Sequence, residues 1–466
     1  MTVPSESAES IVSQSIPGGQ DTIVALATPP GRGAISVVRM SGREALEMAS
    51  RLIHPWPLEP RRSSLCRITY DDGSTVLDQA LVTVFPAPDS FTGENLIEIS
   101  GHGGHYVPAV LLSTLVSVGA RPAAPGEFTR RAVLNGKLDI LQAEAIGDIV
   151  DARSGAMHRA AMGQLDGGLS RRIDMLRRNI ITVESLIAYD IDFPEEDDGP
   201  IARERVSAEV ELLLISLDAL MATVPVGEMV REGAVVVIAG EPNVGKSSLF
   251  NALLGQSRAI VTEIPGTTRD AIEGFLETAR WPLRLVDTAG LRETEDTVER
   301  IGIEVSERYL SWADVVLACG DSNEAISAAV TALEGKTAAQ VLRVRTKADL
   351  ESDAQTSPMT QDIRVSAETG VGLETLMAAI DETLSSTIDA AVADMPILTR
   401  GRHIHGIREA REEVAAFAQA WEQDRLPAPV AAVHLRAAST ALESLIGGVS
   451  TEDVLDRVFS SFCVGK

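Results

Sequence analysis

The stretch Gly240-Glu241-Pro242-Asn243-Val244-Gly245-Lys246-Ser247 has the spacing Gly-x-x-x-x-Gly-Lys-Ser/Thr, with an apolar run from Ala234 before it and a helical stretch, Ser248 to Leu254, after it. Strand, loop and helix in that order make a phosphate-binding loop. The glycines let backbone amides face phosphate oxygens, and the helix start adds its dipole. Lys246 can bridge the outer phosphates, and the Ser247 hydroxyl can ligate Mg²⁺. Three further elements follow in chain order. Gly266-Thr267-Thr268-Arg269-Asp270 offers Thr268 as a second Mg²⁺ ligand that senses the γ-phosphate, and Asp287-Thr288-Ala289-Gly290 offers an aspartate behind the metal and a glycine amide. In Thr346-Lys347-Ala348-Asp349, Asp349 can accept two N–H bonds from guanine, a pattern adenine does not offer, and Ser366-Ala367 can add backbone contacts to guanine O6. Any one of these is commonly a turn or a strand end. All four in order and context point to GTP.

Two positions depart from the usual pattern. The base-reading tetrad ordinarily starts with Asn, whose amide bridges base and phosphate loop; Thr346 has no amide, so weaker guanine selectivity is expected, with Asp349 carrying most of the discrimination. Leu291 stands where Ras-like GTPases carry the water-orienting Gln, so another residue must serve. Glu299 is a candidate within an acidic run that, on residue types alone, reads as a solvated helix face.

These residues need scaffolds. The 466 residues allow about three domains. From Asp21 to Gly136, strand-like stretches (Ile23 to Ala27, Ala34 to Arg39, Ala80 to Phe85, Asn95 to Ser100) alternate with helical ones (Arg43 to Ile53, Val107 to Val118), an α+β pattern. Leu138 to Glu232 repeats apolar residues at helical spacing. Ala234 to Leu384 holds buried-strand runs, at Leu283 to Val286, Val315 to Ala318, Val341 to Val344 and Ile363 to Val365, separated by helix lengths. Residues from Ile388 on are again helical, with Pro427 and Pro429 in a loop between two helices. The expected fold is therefore multidomain, α+β and α/β. Residues 1–20 form a disordered tail, 21–136 an N-terminal α+β domain, and 137–232 with 385–466 a helical domain split by an inserted P-loop, Ras-like α/β domain at 233–384.

A formal charge of −26 excludes a generic polyanion binder held by a broad basic surface. The charge is uneven: residues 233–384 carry 13 basic and 24 acidic side chains, whereas Arg153 to Arg178 holds six arginines against two aspartates. Any direct nucleic-acid contact is expected on that stretch. Three scattered cysteines, Cys66, Cys319 and Cys463, fit neither a disulfide framework nor a cysteine zinc site, which favours a reducing compartment, the cytoplasm by default. No uninterrupted apolar run approaches the roughly 20 residues of a membrane span, so no membrane association is expected.

The chain resembles the tRNA modification GTPases of the MnmE (TrmE) type from Asp21 to Lys466. The resemblance rests on Asp21-Thr22-Ile23-Val24-Ala25 with Pro29-Pro30-Gly31-Arg32-Gly33, Phe91-Thr92-Gly93-Glu94 with Gly101-His102-Gly103-Gly104, and Pro125-Gly126-Glu127-Phe128-Thr129. The four GTPase elements and the terminal Phe462-Cys463-Val464-Gly465-Lys466 complete it. It implies an N-terminal domain that binds a tetrahydrofolate derivative (5-formyl or methylene) and dimerises, through positions matched by Arg39, Glu98, Lys137 and Lys466. Their chemistry suits the task independently: Glu98 can accept the paired N–H donors of a pterin edge, while the arginine and lysines can meet folate's carboxylates. It implies a homodimer that works with an FAD-dependent partner, in a heterotetramer or larger complex, to place an aminomethyl-type (carboxymethylaminomethyl) group on C5 of the wobble uridine of certain tRNAs. It also implies K⁺ stimulation through G-domain dimerisation. Asn243, Thr262, Ile264 and Thr267 match K⁺-ligand positions, and Glu263, Pro265 and Gly266 lie in the same nucleotide-enclosing loop. Glu299 matches the water-orienting residue, and Cys463 falls in the tail near the folate, with a role in the modification chemistry. Two alternatives remain open: a ribosome-assembly or RNA-binding GTPase, and a folate-binding scaffold whose nucleotide site is structural.

Overall fold

The computed structural model describes residues 21–71, 73–192, 203–256, 272–278, 280–287, 308–350, 362–386, 395–423, 428–447, 458, 459, 462 and 465. Contacts divide the chain into two units, one of residues up to Gly147 together with those from Gly447 on, the other of Asp148–Ile446.

The first unit is built on a seven-stranded sheet of β1 (Ile23–Leu26), β2 (Ile35–Ser41), β3 (Ile53–His54), β4 (Ser64–Thr69), β5 (Val76–Phe85), β6 (Leu96–His102) and β7 (Arg121–Pro122), in spatial order β3-β4-β5-β6-β2-β1-β7. All neighbours are antiparallel except β1 and β7. Alternation sends Val38, Met40, Val82, Val84, Ile97 and Ile99 to one face, where α1 (Ala45–Leu52) and α2 (Tyr106–Ser117) cover them with Ala45, Met48, Ala49, Leu52, Leu111 and Leu115. Helix α3 (Glu127–Leu134) begins at Gly126, whose φ of 66° is a left-handed conformation. α4 (Ile140–Asp151) follows. The expected strands and helices of this region appear within a few residues of their places. The short strands β3, β4 and β7 were not in the expectation.

In the second unit, α5 (Gly155–Leu165), α6 (Gly168–Asp192), α7 (Arg203–Met221) and α8 (Val224–Glu232) precede an α/β layer, and α12 (Gly401–Glu422) and α13 (Ala428–Ile446) follow it, α13 packing on α6 and α12. Pro429 lies in the first turn of α13, where a missing N–H costs nothing, rather than in the preceding loop. The α/β layer contains β8 (Ala234–Gly240), α9 (Lys246–Gln256), β9 (Ile272–Glu277), β10 (Pro282–Asp287), β11 (Val315–Gly320), α10 (Asn323–Leu333), β12 (Gln340–Arg345), β13 (Ile363–Arg364) and α11 (Leu373–Ser386). Its sheet runs β13-β12-β11-β8-β10-β9, parallel except for β9. β8 is buried on both faces: Val236 and Ile238 pack toward Leu249, Leu253, Leu376 and Ile380, and Val235 and Val237 toward Leu310, Ala329 and Leu333. That double burial is why its sequence reads as a continuous aliphatic run.

Among the described residues one stretch, Arg203–Glu232, is long and apolar enough to cross a membrane by length and composition, its most apolar 18 residues having a mean hydropathy of 1.7. It is two helices, α7 and α8, and Val206, Val210, Leu213, Leu217 and Leu220 are buried within the unit.

Candidate functional site

The chain leaves β8 toward β10 on one side and β11 on the other, so β8 is the point where strand order reverses, and ligands of open α/β sheets bind at the carboxyl ends there. Gly240 ends β8, Asp287 ends β10, Gly320 ends β11, and Thr346 and Ser366 lie just past β12 and β13. The described sequence-predicted nucleotide residues therefore come together on one edge.

The phosphate loop needs unusual backbone. Gly240 has φ 146°, and a Cβ there would lie 2.3 Å from the Cys319 carbonyl oxygen, so only glycine lets β8 leave the sheet beside β11. Asn243 (φ 66°) and Gly245 (φ 96°) turn the chain back into α9. Lys246 opens that helix; it is buried, and its Nζ donates to the Glu241 carbonyl at 2.7 Å, closing the loop on itself. Asn243, Ser247 and Ser248 are exposed and Val244 is buried. The Asp287 carboxylate is 1% exposed. Cys319, fully buried beside it, has a thiol pushed up to about 12 by burial, opposed by the Lys246 charge and reinforced by that of Asp287. The low-dielectric setting that makes Cys319 inert also strengthens charges acting on a bound phosphate.

The base-reading segment is held from both sides. The Thr346 hydroxyl donates to the Val244 carbonyl of the phosphate loop, with the Gly320 carbonyl a second acceptor at 3.2 Å. Thr346 thus keeps a link to the phosphate loop, made by its hydroxyl in place of the missing amide. Lys347 adopts φ 56° and reaches Asp321 at 3.0 Å, and the Ala348 amide donates to the Val365 carbonyl. Asp349 is exposed and accepts the Ser366 hydroxyl at 2.6 Å, with Ala367 half-buried beside it.

Thr262, Glu263, Ile264, Pro265, Gly266, Thr267, Thr268, Thr288, Ala289, Gly290, Glu299, Cys463 and Lys466 lie outside the described residues. Among the described residues no cluster of three or more His, Cys, Asp or Glu forms a metal site. The oxygen donors on hand, the Ser247 hydroxyl and the Asp287 carboxylate, fit a hard cation such as Mg²⁺. A cavity of about 1260 Å³, lined by Arg153, Arg231, Glu277, Glu374 and Asp381 among others, borders Gly233 and Pro282 at the opposite ends of β8 and β10. It is not the nucleotide site.

The first unit brings two of its candidates, Arg39 and Glu98, together. Arg39 on β2 faces Glu98 on β6, and its Nε and Nη2 donate to Glu98 Oε1 at 3.0 and 2.6 Å. The guanidinium lies 5.7 Å from the Phe91 ring and 5.8 Å from that of Phe128, and Nη1 approaches the Gly465 carbonyl at 3.5 Å. Lys137 is exposed beside Gly93. A half-exposed acid and guanidinium beside the partly exposed Phe91 ring fit a flat heteroaromatic with donor edges. The C-terminal residues reach this unit through Phe459 and Phe462, which pack against Gly126, and Phe462 also against Gly147.

The structure also shows why the sequence motifs of this unit occur together. Arg131, 5% exposed, pairs with Asp21, Glu94 and Glu127, and Arg121 pairs with Asp21 and Glu127. Burial works against ionised Glu127, but hydrogen bonds from Arg121, the Ala124 amide and Arg131 outweigh it and hold its carboxyl below the usual glutamate range. Asp21 is lowered by its Arg121 hydrogen bond against the cost of burial. A Cβ on Gly103 would meet the Gly33 carbonyl at 2.2 Å, and one on Gly101 would meet Asp78, whose carboxylate binds His102 Nδ1 at 2.6 Å. The resemblance places Arg39 and Glu98 in one site, and they are in contact there, whereas the Arg121–Arg131 network joins segments distant in sequence and is not legible in them.

A twisted sheet carrying phosphate loop, buried lysine, strand-end aspartate and base-reading loop on one edge defines a P-loop GTPase, fused here to helical and α+β parts. Two family models match the chain, the GTP-binding protein TrmE N-terminus over residues 22–137 and the MnmE helical domain over 140–463. The tRNA modification GTPase MnmE of Moorella thermoacetica is 41% identical over 465 residues, covering 96% of this chain and 99% of that protein. Its counterparts from Akkermansia muciniphila and Aquifex aeolicus are 42% and 38% identical, each over 96% of this chain and 99% and 100% of their own. Among solved structures, the G domain of the T. maritima FeoB iron transporter covers 32% of this chain at 26% identity, with a TM-score of 0.25. The chain belongs to the MnmE family of tRNA modification GTPases.

Proposed function

We propose that this GTPase couples GTP turnover to modification of C5 of the wobble uridine in certain tRNAs. It acts as a cytoplasmic homodimer with an FAD-dependent partner, and a tetrahydrofolate derivative is the one-carbon source. The observation that carries the reading is the convergence, on one sheet edge, of the phosphate loop and a base-reading loop tied together by Thr346 and Val244, in a chain of this family.

In this reading Lys246, held in a buried loop, neutralises charge on the outer phosphates, and loop amides from Asn243 to Ser248 cradle them. Ser247 and Thr268 would hold Mg²⁺, with Asp287 behind it; the ion would neutralise charge developing between the β- and γ-phosphates. Asn243, with Thr262, Ile264 and Thr267, would hold K⁺, a positive charge where other GTPases use an arginine. Glu299 orients the attacking water, and Asp349 accepts the guanine N–H pair. Residues 21–136 form the folate-binding and dimerising part, through Arg39, Glu98 and Lys137 with Lys466 from the tail. Cys463 serves the modification step. Modification is separate chemistry from hydrolysis, and GTP acts as its switch.

The test is GTP hydrolysis by the full chain in KCl and in NaCl at equal ionic strength. A rate several-fold higher in KCl is expected. Equal rates would remove the K⁺ cage and with it the hydrolysis mechanism.

A further inference from the structure

We propose that Thr346 fastens the base-reading segment to the phosphate loop instead of reading the base, so that within the Thr346–Asp349 tetrad recognition of guanine falls to Asp349. The proposal rests on the GTP-site reading above and specifies how that site divides its work.

A threonine hydroxyl has a single proton. The Thr346 oxygen has two acceptors in reach, the Val244 and Gly320 carbonyls, and both are backbone groups that cannot donate in return. Its backbone amide is taken as well, donating to the Gly320 carbonyl at 2.9 Å. The side chain is 4% exposed, so water does not replace these partners. Every hydrogen that Thr346 can donate is thus committed inside the protein, and the rest of its side chain is a methyl group.

The acceptor matters too. Val244 lies between Asn243 and Gly245, both in left-handed conformations, in a turn closed by Lys246 on Glu241. A pin on the Val244 carbonyl holds that turn against the ends of β11 and β12. Gly245 lies beneath the same segment: a Cβ built there would be 3.7 Å from Thr346 Cβ and 3.9 Å from Lys347 Cε. Asp349 has the opposite character. It is exposed and uses Oδ1 to accept the Ser366 hydroxyl at 2.6 Å, and a carboxylate has further lone pairs for paired N–H donors.

Guanine also presents N7 and O6 as acceptors on another edge. An asparagine at position 346 has two N–H donors and could hold the loop with one and meet N7 with the other. Thr346 cannot do both, so N7 should contribute nothing through this position.

The test is equilibrium binding of GDP, 7-deaza-GDP and XDP to the full chain, by competition with a fluorescent GDP. The unmodified protein should bind 7-deaza-GDP within about twofold of GDP. Thr346→Asn should create a preference for GDP over 7-deaza-GDP of about fivefold, the worth of one hydrogen bond. Thr346→Val should weaken GDP and 7-deaza-GDP equally, by about tenfold, because the Val244 carbonyl loses its donor, and Thr346→Ser should restore both. Discrimination against 7-deaza-GDP by the unmodified protein, or wild-type affinity in Thr346→Val, overturns the proposal. Asp349→Asn separates this from the underlying reading, since it should shift preference from GDP toward XDP. If that shift is absent, the guanine-site reading fails; if it occurs while the Thr346 results are contrary, only the division of work fails.

Discussion

Replacing Gly465 with alanine tests whether the C-terminal tail must seat in the first unit. Gly465 is buried with φ 98°, a conformation that L-residues rarely adopt. A Cβ there would lie 2.6 Å from the Leu26 carbonyl oxygen and 3.0 Å from Ala27 Cα. Both are backbone atoms at the end of β1, which is paired to β2 and β7, so they have little room to move. The backbone conformation alone costs about 1–3 kcal/mol. Taking about 2 kcal/mol, the ratio of seated to unseated tail falls about 30-fold. Phe459 and Phe462 are anchored upstream on Gly126, so the loss is confined to the last residues. Calorimetric titration with a tetrahydrofolate derivative should then show weaker binding in Gly465→Ala, by up to about 30-fold, with GTP hydrolysis within about twofold of wild type. Unchanged folate affinity would refute the reasoning, because the tail would then contribute nothing to the site that Arg39, Glu98 and Lys137 are proposed to form.

Glu127→Ala leaves Arg131 buried with fewer partners and should destabilise the protein by about 3–5 kcal/mol in urea unfolding; a loss under about 1 kcal/mol would show that the network is not what holds these segments. The Glu127 and Asp21 carboxyls sit below their unperturbed values of 4.5 and 3.8. Their contribution is therefore fully present above those values and lost as pH falls through the lower folded-state pKa values. Urea midpoints should fall on acidification below about pH 4.5, less steeply in Glu127→Gln. Gly240→Ala, which drives a Cβ into the Cys319 carbonyl, should weaken GTP binding more than tenfold, measurable by the same fluorescent competition; retained affinity would mean that the loop tolerates a shift off β11.

The nucleotide-binding half was readable because its determinants are local. A phosphate loop announces itself within eight residues, and β8, β10 and β11 read as strands because burial on both faces leaves little room for polar residues. β9 was missed because Ile-Glu-Gly-Phe-Leu-Glu is an edge strand interrupted by a glycine, whose Cβ would strike Leu254. β4 was missed because Leu65 is exposed, which blurs its alternation. The Thr346 tether could not be read at all, since the acceptor is a carbonyl 102 residues away. The same holds for the pairing of Asp21 with Arg121 and Arg131. The sequence presents these as separate short motifs, and only the sheet order that brings β1 beside β7 shows one ion network.

GTP turnover at Lys246 is proposed to drive tRNA modification. That coupling is tested most directly by nucleoside analysis of tRNA from cells lacking this protein and supplied with either the unmodified chain or Lys246→Ala at equal abundance. The C5-modified wobble uridine should return with the unmodified chain and stay absent with Lys246→Ala. Full modification by Lys246→Ala would contradict that coupling and leave the nucleotide site a structural feature.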